Sequence, residues 1–166
     1  MEKTPFQKYD LDPEVVKYLE MGYKCQEDGE FELAEMYYKK SLEIEDTPEG
    51  RSFLGWNYSL MNKFEDAITE CVKAIDLDPE FGKAYTDIGS YLMQMGNTDE
   101  AIPWLSKAKN TLRDWNPEIA YLVLGKIYET KGLWPLAVKE YEGALKQKPD
   151  CEEARSALDK LRANLN

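Results

Sequence analysis

Residues 54–79 read LGWNYSLMNKFEDAITECVKAIDLDP, and this stretch decides the fold. Arg51 just upstream, Leu54, Gly55 and Tyr58 recur at i, i+3, i+4 and i+7, the spacing that gathers side chains on one face of an α-helix. After a polar break, Phe64, Ala67, Ile68, Cys71 and Ile75 nearly repeat that spacing. Asn62-Lys63 makes the turn between the two, and Asp78-Pro79-Glu80 closes the second helix and opens another. Two helices, each with one apolar face and joined by so short a turn, form an αα-hairpin. Alone it cannot hide both faces from water, so its neighbours must be further hairpins.

The rest of the chain supplies them. Gly22, Gly55, Gly89 and Gly125 are each followed twelve residues later by an alanine: Ala34, Ala67, Ala101 and Ala137. The glycines are spaced by 33, 34 and 36 residues, and the alanines by the same three intervals. A second small residue, Ser41, Ala74, Ala108 or Ala144, falls seven after each alanine, and an apolar one, Met21, Leu54, Ile88 or Leu124, precedes each glycine. Gly29, Asn62, Gly96 and Gly132 fall in the turns between paired helices, where left-handed backbone costs least. Small residues held in phase four times let paired helices approach towards the lower end of the roughly 8–10 Å packing range.

This register resembles the tetratricopeptide repeat (TPR) family, whose unit is a helix–turn–helix of about 34 residues with small residues at its close contacts. The resemblance covers residues 13–149 and implies an all-α fold: a right-handed α-solenoid of four such repeats plus a C-terminal capping helix. The repeats span about 13–47, 48–81, 82–117 and 118–149, after an extension over 1–12 and before a capping helix within 150–166. Three positions depart from the family pattern. Arg51 stands where a large aromatic is preferred, and Cys25 and Leu92 where Tyr58 and Tyr128 fit.

Residues 10–14 and 76–80 both read DLDPE, two repeats apart. An aspartate can cap a helix, a following proline is pre-set for the first helical position, and a glutamate suits the positive end of the dipole. Thr47-Pro48-Glu49 and Asn116-Pro117-Glu118 repeat the device. Helices are therefore expected at 13–27, 31–45, 48–61, 64–77, 79–95, 98–112, 117–131 and 134–147, with a ninth at 151–163. Pro103 falls about one turn into its helix and predicts a slight kink. The extra residues of the 36-residue interval lie in the connector Arg113-Asp114-Trp115-Asn116, where Trp115 either plugs the joint or belongs to a binding surface. Only Phe6, Tyr9 and Leu11 are available to cover the N-terminal end.

At 166 residues the chain reads as one quasi-linear domain. Its net charge of −11 argues against nucleic acid and against anionic membrane surfaces as partners. The charge is lopsided: residues 1–47 hold 6 Lys/Arg against 13 Asp/Glu, residues 48–81 hold 3 against 7, and the remainder is nearly balanced. No membrane-spanning stretch or signal-like N-terminus is evident, and three scattered cysteines suit a reducing compartment, so a cytoplasmic location is expected. With no histidine, no CxxC and no phosphate-binding or nucleophile-elbow motif, neither catalytic residues nor a metal or cofactor site is expected. Asp76, Asp78 and Glu80 alternate like the start of a calcium loop, but Pro79 interrupts and the glycine comes one place late.

What remains is a groove. In the resembled family a second face of each first helix lines the concave surface. Carried over by offset from each glycine, that face comprises Leu19, Tyr23, Gln26 and Glu27 in the first repeat and Ser52, Trp56, Ser59 and Leu60 in the second. The third gives Thr86, Ser90, Met93 and Gln94, and the fourth Leu122, Lys126, Glu129 and Thr130. Lysines and asparagines that hold a peptide's terminal carboxylates in many TPR co-chaperones are missing here. Tyr23 and Trp56 are of the types enriched at binding hot spots, unless they pack against the adjacent helix or an N-terminal segment. Trp104 is expected on the outer surface and Trp134 in a structural position. The leading expectation is a non-catalytic adaptor binding a peptide or helical segment of another protein, basic and amphipathic to suit the acidic first half. Two alternatives stand beside it: a TPR-type chaperone holding an aggregation-prone, for example secreted, client, and a self-assembling homo-oligomeric scaffold.

Overall fold

The computed structural model describes Phe6, residues 10–113 and residues 116–165, and all regular structure among them is helical. The helices are α1 (Pro13–Glu27), α2 (Phe31–Ile44), α3 (Pro48–Leu60), α4 (Phe64–Leu77) and α5 (Gly82–Gln94), followed by α6 (Thr98–Ala108), α7 (Glu118–Thr130), α8 (Trp134–Gln147) and α9 (Glu152–Leu165). They pair as the register predicts: α1 with α2, α3 with α4, α5 with α6 and α7 with α8, with α9 packed on α8. The described residues up to Pro79 form one compact unit and those from Glu80 onward a second.

The turns confirm the expected backbone. Gly29, Asn62, Gly96 and Gly132 have φ of 78°, 58°, 85° and 71°. Each turn is closed by an amide reaching back five residues, at 2.8 to 2.9 Å: Glu30 to the Cys25 carbonyl, Lys63 to Tyr58, Asn97 to Leu92 and Leu133 to Tyr128. Asp12 caps α1 by accepting the Glu14 N–H at 2.7 Å, and Thr47 caps α3 by accepting that of Gly50 at 3.1 Å.

The Asp78-Pro79-Glu80 device does not open a helix at 79. α5 begins at Gly82, because the backbone before it pairs with the connector after α6. Arg113 N–H donates to the Glu80 carbonyl at 3.1 Å, Gly82 N–H to the Arg113 carbonyl at 3.0 Å, and Leu112 N–H to Glu80 Oε2 at 2.9 Å. The Arg113 guanidinium lies 4.9 Å from the Phe81 ring centroid. The same pairing accounts for α6 ending at Ala108 instead of running to 112. Pro117 caps α7 instead of entering it, and α6 runs through Pro103 without a break.

Each register glycine faces the residue four after the matching alanine. A Cβ on Gly22 would come within 2.7 Å of the Tyr38 ring. On Gly55 it would lie 3.0 Å from the Ala67 carbonyl oxygen and 3.3 Å from Cys71 Sγ. In the first three repeats a second pair of columns meets as well, four before the glycine and three after the alanine. Tyr18 stacks on Tyr37 at 6.4 Å between ring centroids, and Tyr85 meets Trp104 at 6.0 Å. In the second repeat the corresponding residues are Arg51 and Glu70, joined Nη1 to Oε2 at 2.8 Å. An ion pair thus replaces the aromatic pair, which is why Arg51 can depart from the family pattern.

Candidate functional site

In the first unit the candidate residues lie on α1 and α3, which neighbour each other. Tyr23 and Trp56 approach to 6.1 Å between ring centroids, tilted by 43°. Phe53, one turn before Trp56, is buried between them and Tyr38, at 6.5 Å from Tyr23 and 6.2 Å from both Trp56 and Tyr38. The offset from Gly55 placed Phe53 on neither of the two faces read from sequence, so its part in the site was missed. Phe6 was assigned to the N-terminal end, yet it belongs here. It is fully buried, 4.6 Å from Phe53 and set edge-on to Tyr23 at 6.0 Å. Leu11 is half-buried against the same cluster, whereas Tyr9 lies outside the described residues.

Three residues expected to face a partner are closed off in this arrangement. Leu19 is 0 % exposed, in one cluster with Phe6, Val15 and Phe53. Gln26 is 5 % exposed because its Oε1 accepts the Tyr38 hydroxyl at 3.1 Å. Burial pushes that hydroxyl's pKa far above the ordinary tyrosine range, so it remains a donor. Ser52 is buried too. Tyr23, Trp56 and Ser59 are half-buried, with the Ser59 hydroxyl donating to the Trp56 carbonyl at 2.7 Å, and Leu60 is 42 % exposed.

In the second unit the candidates lie on α5 and α7. Thr86 is buried with no hydrogen-bond partner for its hydroxyl among the described residues. Ser90 donates to the Thr86 carbonyl at 2.9 Å, Met93 is half-buried, and Gln94 is exposed. Leu122 is closed off from a partner because α9 covers it. It shares a cluster with Tyr141, Cys151, Ala154, Leu158 and Leu161. Lys126, the one cation among the candidates, pairs with Glu153 of α9 at 2.6 Å. Glu129 accepts the Tyr141 hydroxyl at 2.8 Å, the counterpart of Gln26 and Tyr38.

The remaining tryptophans divide differently from expectation. Trp104 is half-buried against Tyr85, not purely outward. Trp134 is 40 % exposed, beside Leu133 and Leu136 at 43 % each, where a structural position was expected. Trp115 lies outside the described residues. Among the described residues no group of His, Cys, Asp and Glu is arranged to hold a metal ion, and no helix is long and apolar enough to cross a membrane.

The model of the tetratricopeptide repeat matches residues 50–81 and 82–110. Among curated proteins, the chain is 30% identical over 99 residues to the Photosystem I assembly protein Ycf3 of Synechococcus elongatus, covering 53% of this chain and 57% of that protein. The chain thus spans little more than half the length of this relative. Among solved structures, that of Pseudomonas aeruginosa pilF superposes with a TM-score of 0.81 at 18% identity, covering 90% of this chain and 68% of the other. The MamA protein gives 0.69 at 27% identity, covering 89% and 80%. Four glycine–alanine registers in phase, four matching helix pairs and two repeats recognised directly lead to one conclusion: the chain carries tetratricopeptide repeats over residues 50–110 and has the all-α repeat fold of that family.

Proposed function

We propose that this protein is a non-catalytic adaptor that takes up a segment of another protein against the α1/α3 face, centred on Tyr23, Trp56 and Leu60. The observation that carries the reading is the pairing of two half-buried aromatics beside an exposed leucine on a strongly acidic unit. Residues 1–79 hold 9 Lys/Arg against 19 Asp/Glu, a net −10, whereas residues 80–166 hold 12 against 13. Large amphipathic rings give contact area at little conformational cost, and the acidic field speeds encounter with a segment rich in Lys or Arg. Ser90, Met93 and Gln94 on α5 supply a further accessible stretch in the second unit. The partner chemistry that fits is therefore basic and amphipathic.

The test begins with a photo-crosslinking residue at Leu60 to identify the partner, which is then purified and titrated. Trp56→Ala should weaken binding by about 2 kcal/mol, roughly thirtyfold, mainly through faster dissociation. Raising salt should slow association instead. Melting of the variant must stay near the parent's. An unchanged affinity, or loss of the second repeat's fold, overturns the assignment. The assembly role in the name of the Synechococcus relative supports a second reading, in which the bound segment belongs to an incomplete client. Co-expression separates the two, since a holding factor keeps an otherwise insoluble client in solution.

A further inference from the structure

We infer that the cleft between α8 and α9 is a docking site for an amphipathic helix of a protein partner, one that brings a carboxylate to Arg155 and a cation to Asp159. The site is independent of the α1/α3 face and selects a different charge pattern.

α9 has the register of a first helix. Asp159 falls 34 residues after Gly125. Pro149, Cys151 and Ala154 stand at the same offsets from Asp159 as Pro79, Phe81 and Ala84 do from Gly89. In the earlier repeats the glycine of the first helix faces the second helix, and in three of them the residue four before it does too. In α9 these two positions are Asp159 and Arg155. Among the described residues no second helix lies on them. They line an open cleft of about 450 Å³ instead, together with Leu158 and Arg162 of α9 and with Glu142, Leu145 and Lys146 of α8. That volume falls within the roughly 300–1,000 Å³ of ordinary ligand pockets.

The cleft has an apolar floor and a charged rim. Leu158 is buried and Leu145 half-buried, while Arg155, Asp159 and Arg162 are exposed. On Gly55 even a Cβ would lie 3.0 Å from the Ala67 carbonyl oxygen. Asp159 carries a whole side chain in that column, so an incoming helix stands further off and must satisfy a carboxylate. Arg155 makes the complementary demand. Arg51 occupies the same column, and its second helix meets it with Glu70 at 2.8 Å, three residues after Ala67. Arg155 gives one donor to the Pro149 carbonyl at 2.7 Å, and among the described residues neither it nor Lys146 pairs with a carboxylate. Arg162 already reaches Glu142 at 3.4 Å, from one wall of the cleft to the other. A helix that fits therefore presents Glu or Asp to Arg155, Lys or Arg on the next residue to Asp159, and an aliphatic side chain to Leu145 and Leu158. Exposed ion pairs are weak in water, but a helix laid over the cleft excludes solvent from these and strengthens them.

The probe is an end-blocked, dye-labelled peptide of the α4 segment, residues 64–77, FEDAITECVKAIDL, carrying Cys71→Lys. Its Glu70 is placed for Arg155 and the substituted position for Asp159. Titrated against the full chain by fluorescence anisotropy, it should bind the parent, and bind Arg155→Glu roughly tenfold more weakly. Lys160→Glu makes the same charge change on α9 outside the cleft and should leave the affinity within about twofold. A peptide that also carries Glu70→Arg should regain binding to Arg155→Glu and bind the parent poorly. Amide chemical shifts should move in α8 and α9. If Arg155→Glu does not fold, Asp159→Lys with a peptide carrying Cys71→Glu makes the equivalent exchange. No binding to the parent, equal loss in Arg155→Glu and Lys160→Glu, or shifts confined to α3, where the peptide would be replacing α4, overturns the proposal. So does a parent dimer in light scattering that Arg155→Glu abolishes, because the occupant is then a second copy. Failure of this site leaves the Trp56→Ala result and the α1/α3 face untouched.

Discussion

Arg51 carries a positive charge in a column where the other three repeats place Tyr18, Tyr85 and Tyr121. Its guanidinium forks onto Asp46, Nε to Oδ1 at 2.7 Å and Nη2 to Oδ2 at 2.8 Å, and reaches Glu70 with its third nitrogen. Glu70 also takes Lys73 at 2.7 Å, while its own side chain is only 10% exposed. Arg51→Tyr should therefore cost about 1–3 kcal/mol, because a nearly buried carboxylate loses one of its two counter-charges. Adding Glu70→Tyr rebuilds the Tyr18–Tyr37 arrangement and should recover most of that loss, which a double-mutant cycle in urea would measure. The hydrogen bond from Arg51 also holds the Asp46 carboxyl below the usual carboxylate range, against the opposing effect of burial. A depressed folded pKa contributes stability that is present above the ordinary value and lost as pH falls through the folded one. Parent and Asp46→Asn should accordingly differ in melting temperature at pH 6, and the difference should begin to shrink only below about pH 4 and vanish below the folded pKa. The departure at Arg51 was legible in the sequence, but its remedy was not. Nothing in a one-dimensional register says that the column four before the glycine meets the column three after the alanine until two helices are laid together.

α9 shows what one element does for another. Ala154, Leu158 and Leu161 are buried against Leu122, Ala137, Tyr141 and Ala144, so the helix closes the outer side of the last repeat. Leu158→Ala should cost about 2–4 kcal/mol and hasten hydrogen exchange in α7 and α8. Amides of α1 to α4 should keep their protection, since each repeat leans only on its neighbours; uniform loss would contradict that. Most helix limits could be read in advance because local chemistry sets them: Asp12-Pro13, Thr47-Pro48 and four left-handed turn residues act within a few positions. The start of α5 could not, because its amides and carbonyls answer to Leu112 and Arg113, some thirty residues on. The same non-locality hid the burial of Leu122, which follows from a helix that the groove offsets never considered.

At the scale of the molecule, charge and repeat register were plain from sequence, whereas the state of the candidate surface was only half legible. The offsets found Tyr23, Trp56 and Leu60, and these remain reachable to different degrees. They gave no sign that Phe6 shares a buried cluster with Leu19, because so short a stretch ahead of α1 has no helical period to betray where it packs. Nearly the whole net charge, −10 of −11, rests on residues 1–79. That asymmetry gives the chain one strongly attracting part and one nearly neutral part, whatever sequence a partner carries.

The three cysteines, none of them in a disulfide, sit at graded depths, which makes them clocks for opening. Cys25 is half-buried on α1, Cys151 is 7 % exposed where α9 meets its cluster, and Cys71 is fully buried against Gly55. Burial, with Glu30 and Asp28 adding to it, pushes the Cys25 thiol pKa up, so even the shallowest thiol reacts more slowly than a free one. In single-cysteine variants a thiol-specific dye should label Cys25 first, Cys151 at the rate at which α9 lifts, and Cys71 only when α3 and α4 part. Coincident rates at Cys151 and Cys71 would mean that the cap and the second repeat yield together. Separate rates would time the unzipping of the chain from its C-terminal end, with no probe added beyond the sulfur already there.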